Sequence, residues 1–335
     1  MSELRIDPLS GARVIVAGER GERPGAWLEP GPQPPIDPEN DPFLEGHEDR
    51  TPPEVYALRP DGGAPNGPGW SVRVVPNLYP ALTAEAGGGE RPEPLASGRG
   101  EPELFTTRPA SGAHELVVNA PDPVSSLHDL EPGQVETAMS VWRARMREHS
   151  GASYVHVIVN EGRDAGASIP HTHAQLYALP FVPTAVARER ERFTAYSDRT
   201  AGRNLMEDLV QEEVRRGERL VSVDTEAVAL CPFAARVPFH VQIVPRRPAR
   251  SFEDDGPLGA SLLHEMLGRL TAELGGTPPL NLWVRTAPRG AERFCWRIDV
   301  LPRLAHPAGL EMGTGVNLNV LPPEHAAERL RAAKP

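Results

Sequence analysis

Proline and glycine punctuate this chain too densely for a bundle of long helices. There are 38 prolines and 31 glycines among 335 residues. Proline removes a backbone donor and collides with the preceding helical turn, so most of the chain must be loop and extended structure. A few helical windows remain. Over 132–149, Val135, Met139, Val141, Trp142 and Met146 fall near helical spacing, and over 258–274 Leu262, Leu263, Met266, Leu267, Leu270 and Leu274 do the same. A C-terminal helix is expected from Pro322-Pro323-Glu324, because proline suits a first helical turn. Strands are expected at 4–6, 13–16, 71–76, 114–119, 154–160, 227–231, 239–245, 280–284 and 294–302. Residues 28–69 read as a proline-rich surface segment and 84–102 as a mobile loop.

The stretch from Gly166 to Pro180, GASIPHTHAQLYALP, concentrates the chemistry. A small-residue loop passes through Pro170 into an extended run. Side chains alternate in a strand, which predicts His171, His173, Gln175 and Tyr177 in a row on one face. Thr172, Ala174, Leu176 and Ala178 suit a buried face. Two imidazoles and a carboxamide, with Ser168, Gly166 and the loop amides upstream, make a bed for a phosphate with a nitrogen nucleophile at its centre. An isolated His-x-His is more often a metal pair or polar surface. The neighbouring Gly-Ala-Ser and Gln175, together with the distant blocks of the resemblance given next, reverse that balance.

This pattern resembles the active-site strand of the histidine-triad superfamily, in its galactose-1-phosphate uridylyltransferase branch, where a glutamine replaces the third histidine. The Ala174-Gln175 wording resembles the branch that includes ADP-glucose phosphorylases. Leu4 to Leu9, Arg20 to Pro24, Trp70 to Leu82, Asn160-Glu161-Gly162 and Gly309 to Arg331 are similar to family blocks in the family's order. The resemblance implies an α+β, histidine-triad-like fold of two tandem halves, each with an antiparallel sheet and a packed helix. The N-terminal half (1–183) would carry the active-site strand and the C-terminal half (184–335) the scaffold and a glycine-rich tail. Aligning Leu179-Pro180 with Leu301-Pro302 sets Cys295 opposite His173 and Arg297 opposite Gln175, an internal echo of the same unit.

The resemblance also implies roles. His173 would attack the α-phosphorus of a nucleotide sugar, and Gln175, Ser168 and the loop amides would hold the phosphoryl oxygens. His171 would orient the strand and loop. Arg20 and Arg23 would meet the phosphates, a task suited to arginine's planar fork. Asn77 matches an asparagine near the nucleotide, although a turn cap explains it as readily. Asn160 would be delivered beside the histidines, with Gly166, Glu311 and Thr314 completing the substrate contacts. Tyr177, His156 and His240 read as structural.

Zinc is usual in the family, but the ligand positions are largely replaced here. Asp41, Leu44 and Pro123 stand at three positions of one site, leaving His171 alone of its four. Asn204, Glu207 and Cys295 stand at positions of another. Zinc prefers four good ligands, so no metal and no other cofactor is expected.

The bulk numbers narrow the partners. A net charge of -11 argues against nucleic acid or an anionic membrane. Met1 to Ser10 has no apolar core, and no run is long enough to span a bilayer. Two cysteines, Cys231 and Cys295, cannot build a disulfide framework, so a cytoplasmic protein is expected. The family implies a homodimer. Three functions compete: transfer of a nucleotidyl group from a UDP- or ADP-hexose to hexose 1-phosphate; a phosphorylase or hydrolase using phosphate or water; and a catalytically silent nucleotide-binding protein.

Overall fold

The computed structural model describes residues 2–23, 27, 30, 31, 34–84, 104, 105 and 107–334. In chain order the strands are β1 (Glu3–Ile6), β2 (Arg13–Val16), β3 (Tyr56–Leu58), β4 (Val72–Pro76), β5 (Ala113–Val118), β6 (Tyr154–Glu161), β7 (His173–Leu179), β8 (Leu220–Val223), β9 (Ala227–Leu230), β10 (Val241–Pro245), β11 (Leu280–Arg285), β12 (Arg297–Pro302) and β13 (Asn317–Asn319). The helices are α1 (Pro132–Glu148), α2 (Thr184–Arg199), α3 (Leu205–Arg216), α4 (Ala260–Leu274), α5 (Gly309–Thr314) and α6 (Pro323–Ala332). The protein is α+β.

Ten strands form one antiparallel sheet in the order β3-β4-β5-β7-β6-β11-β12-β10-β9-β8. Read outward from the central β6–β11 pair, the two wings repeat one arrangement. Each has a helix, α1 or α4, between its equivalent strands. The two expected sheets are therefore joined edge to edge, with Leu280 opposite Glu161 and Val284 opposite Val157. A small second sheet pairs β1 with β2 and sets β13 parallel to β2, tying the tail to the N-terminus.

Alternation in the strands divides the large sheet into two chemically different faces. One face carries Val117, Val157, Ala174, Leu176, Leu282 and Ile298, buried against Val135, Met139 and Trp142 of α1 and Leu263, Met266 and Leu270 of α4. This is the core, and it explains the helical spacing of those apolar residues. Truncating a side chain such as Trp142 to alanine there costs about 3–5 kcal/mol. The other face carries His114, Gln175, Tyr177, Asn281, Asp299 and Gln242.

Six elements were not anticipated: α2, α3, α5, β3, β8 and β13. In α2 the buried residues are only Val186, Phe193, Ser197 and Glu189, too few apolar positions to read as a stripe. In α3 the signals were present: Asn204 caps the N-terminus and Gly217 closes the other end in a left-handed conformation. β3 and β8 are short strands at the sheet's two edges. Nor is 28–69 merely a surface segment. Asp41, Phe43 and Glu48 are buried, and Trp70 Nε1 donates to Glu48 Oε1 at 2.8 Å. The loop expected at 84–102 lies, beyond residue 84, outside the described residues. Among the described residues no helix is long and apolar enough to cross a membrane.

Candidate active site

The site is built on β7. His173 opens the strand opposite Val118 of β5, Gln175 lies between Leu116 and Ile158, and Tyr177 lies between His114 and His156. His171 lies just outside the strand. It precedes the strand, fully buried, and its Nδ1 lies 2.6 Å from Asp41 Oδ2 while Nε2 lies 2.9 Å from the Ala120 carbonyl. Both nitrogens face acceptors, so both hydrogen bonds form only when each nitrogen carries a proton. The 41–48 segment thus holds the His171 ring through a buried Asp41–His171 pair, and Phe43 of the same segment packs against both imidazoles. Burial alone would raise the Asp41 carboxyl. The bonds from His171 and the Phe43 amide outweigh that and hold it below the usual range.

His171 acts on its neighbour through its backbone. His173 Nδ1 donates to the His171 carbonyl oxygen at 2.8 Å, which leaves the lone pair of the neutral ring on Nε2. Burial pushes the His173 pKa down, against the opposing effect of that hydrogen bond, and so favours the uncharged ring. Phe43 packs edge-on with its ring centroid 5.2 Å from that of His173. His173 Nε2 has no hydrogen-bond partner among the described residues, yet it is not among the buried unpaired atoms, so it reaches solvent. An uncharged nitrogen with its lone pair directed outward is a competent nucleophile.

The loop before β7 is shaped by Gly162 and Gly166, at φ +79° and +91°. A β-carbon at Gly166 would meet open space, so only its backbone conformation requires glycine. Ser168 is exposed on this loop. Asn160 Oδ1 accepts from Asn281 Nδ2 at 2.8 Å, and the same Nδ2 donates to the Ala165 carbonyl at 2.8 Å. Asn281, from the other wing of the sheet, therefore ties Asn160 to the loop. It had no signal in the sequence, because the contact spans 121 residues.

The remaining candidates fall into two groups. Asn77 caps its own turn, accepting from the Tyr79 amide at 2.8 Å, and lies beside His114. Arg20 and Arg23 are exposed at the turn that follows β2. The 309–315 tail is not a glycine turn but a short helix. Glu311 accepts from the Ala308 amide, and the Thr314 hydroxyl donates to the Leu310 carbonyl. This tail and the Arg20 turn meet through the small sheet, where the Ala17 amide donates to the Asn319 carbonyl.

Zinc does not fit the residues present. Asp41 and both nitrogens of His171 are committed to the hydrogen bonds above, and Leu44 and Pro123 have no donor atom to offer. At the second position Asn204 caps α3 and its Nδ2 donates to the Phe294 carbonyl at 3.2 Å. Burial pushes the Cys295 thiol up to about 12, which keeps it protonated and a poor ligand. Among the described residues no three histidine, cysteine or acidic side chains are grouped to hold a metal.

A duplicated antiparallel α+β sheet, with His173 and Gln175 open to a ligand on β7, is the class of fold that the sequence resemblance implies. Comparison with known proteins narrows the class. Residues 1–183 match the profile of the galactose-1-phosphate uridyl transferase N-terminal domain, and residues 135–333 match a domain of unknown function, DUF4921. The chain is 29% identical to an ADP-glucose phosphorylase of Arabidopsis thaliana, over 98% of this chain and 92% of that one. It is 30% identical to a galactose-1-phosphate uridylyltransferase of Haemophilus influenzae, over 68% of this chain and 69% of the relative. Its fold superposes on the crystal structure of an Arabidopsis thaliana ADP-glucose phosphorylase with bound ADP-glucose at a TM-score of 0.80, with 26% identity and complete coverage of both chains. The chain belongs to the galactose-1-phosphate uridylyltransferase family.

Proposed function

We propose that this protein transfers a nucleotidyl group from a nucleotide sugar through a covalent nucleotidyl-histidine. The observation that carries this reading is the His171 carbonyl, which fixes the tautomer of His173 and leaves the Nε2 lone pair unshared. In the first step Nε2 attacks the α-phosphorus. An N–P bond forms, the bond from that phosphorus to the bridging oxygen breaks, and the sugar 1-phosphate departs with the electron pair. In the second step an acceptor oxygen attacks the same phosphorus and the N–P bond breaks. The lone pair then returns to Nε2. Gln175, Ser168 and the loop amides hold the non-bridging oxygens, where charge shifts in the transition state. Arg20 and Arg23 supply counter-charge to the diphosphate. Asn160 and Gly166 shape the cradle, while Asn77, Glu311 and Thr314 contribute through the backbone they order.

With hexose 1-phosphate as acceptor the product is a second nucleotide sugar, as in a galactose-1-phosphate uridylyltransferase. With inorganic phosphate the product is a nucleoside diphosphate. The likeness to an ADP-glucose phosphorylase across 98% of the chain supports that second reading. Intact mass spectrometry after mixing with ADP-glucose or UDP-glucose tests the shared step. A nucleotidyl adduct on His173 is expected, and its absence with every nucleotide sugar tried overturns the proposal. Chasing the adduct with galactose 1-phosphate or phosphate then separates the two acceptors.

A further inference from the structure

We propose that His114 and Tyr177 are positioning residues for Gln175, fixing its side-chain amide so that the NH2 group, and not the carbonyl, faces the reacting phosphate. This rests on the nucleotidyl-histidine reading above. A glutamine amide is nearly symmetric in shape but opposite in polarity at its two ends. Phosphate oxygens only accept, so one orientation attracts them and the flipped one repels them.

The orientation is set by a chain of hydrogen bonds that begins in the backbone. The Ala81 amide donates to His114 Nδ1 at 3.2 Å, so that nitrogen keeps a lone pair and the ring proton sits on Nε2. The Nε2–H then requires an acceptor. Asn77 Nδ2 lies 3.2 Å away, but it is itself a donor. Asn77 cannot turn to offer its oxygen, because Oδ1 is held by the Tyr79 amide at 2.8 Å. Gln175 Oε1, at 3.2 Å, is the acceptor that remains among the described residues. The Tyr177 hydroxyl donates to the same oxygen at 2.8 Å. The His114 and Tyr177 rings are stacked 4.1 Å apart and directly opposite each other across β5 and β7, so neither turns alone. With Oε1 doubly occupied, Gln175 Nε2 is left with no acceptor among the described residues, and it is not among the buried unpaired atoms. Its two N–H groups are available to a ligand.

The test is single-turnover nucleotidylation by rapid-quench mass spectrometry. Tyr177→Phe and His114→Phe each keep an aromatic ring in the stack and delete one donor. Each should slow adduct formation by about tenfold, because a misaimed donor forfeits part of its transition-state stabilisation. In a Gln175→Ala background the same substitutions should change the rate by less than about twofold, since nothing remains to position. Thermal melting identifies any variant that fails to fold. Tyr177→Phe, which removes a single oxygen atom, then carries the test alone. Unchanged rates in the single variants overturn the inference, as does an equal loss in the Gln175→Ala background, the mark of a merely structural role. Failure of the wild-type protein to form any adduct instead overturns the nucleotidyl-histidine reading on which the inference stands.

Discussion

Strands β7 and β12 occupy equivalent places in the two wings of the sheet, and their polar faces have opposite fates. Where β7 carries His173, Gln175 and Tyr177, the matching positions at and before β12 hold Cys295, Arg297 and Asp299. The second set is closed on itself. Asp299 accepts from His240, Gln242, Trp283 and Arg297, all within 3.0 Å. Glu189 of α2 takes both terminal nitrogens of Arg297. Burial alone would raise the Asp299 carboxyl, but the Arg297 guanidinium and the hydrogen bond from His240 hold it far below its ordinary range. On β7, by contrast, His173 Nε2 and Gln175 Nε2 keep their capacity for a ligand. One architecture thus leaves polar atoms open to a ligand on β7 and engages those of Arg297 and Asp299 in hydrogen bonds on β12.

The comparison can be broken at either strand. His173→Asn should make β7 as silent as β12, lowering adduct formation by more than about a thousandfold, as expected when a nucleophile is removed. Residual adduct at the wild-type rate would move the nucleophile elsewhere. Glu189→Gln should open the closed network. It leaves Arg297 underpaired in a fully buried site, at a cost of about 3–5 kcal/mol in chemical denaturation. The nucleotidylation rate per folded molecule should be unchanged.

Asp41→Asn probes the anchor behind the nucleophile and should cost about 1–3 kcal/mol. Because the folded-state pKa of Asp41 is depressed, its contribution is present above the unfolded value of about 3.9 and is lost as pH falls through the folded value. The stability gap between wild type and variant should therefore be widest near neutrality and close in acid. For His173, depressed by burial, nucleotidylation should stay level as pH falls from 8 through about 6.5, and decline only below that. A midpoint at or above 6.5 would contradict the buried, neutral ring. The smallest effect concerns metal. Prolonged treatment with a chelator should alter activity and melting by less than about twofold, since each wing uses hydrogen bonds where zinc ligands would stand.

Features with local causes were legible in the sequence. The apolar spacing of α1 and α4, the alternation along β7 and the glycine-shaped loop before it are all written in neighbouring residues. What escaped reading depends on partners far along the chain. Asp41 looked like a lost ligand, because its pairing with His171 spans 130 residues. That same pairing leaves neither nitrogen of His171 free for a ligand. Helix α2 shows little apolar character, because its central buried side chain, Glu189, answers to Arg297 across 108 residues. His114 passed unremarked and Tyr177 seemed structural, because their shared target emerges only once β5 lies beside β7.

The antiparallel pairing of β6 with β11 has a consequence for the edges of the sheet. Without the second wing, β6 would present a bare hydrogen-bonding margin flanked by Val155, Val157 and Val159, an invitation to pair with any other chain. The second wing thus covers an edge that the first would otherwise leave open.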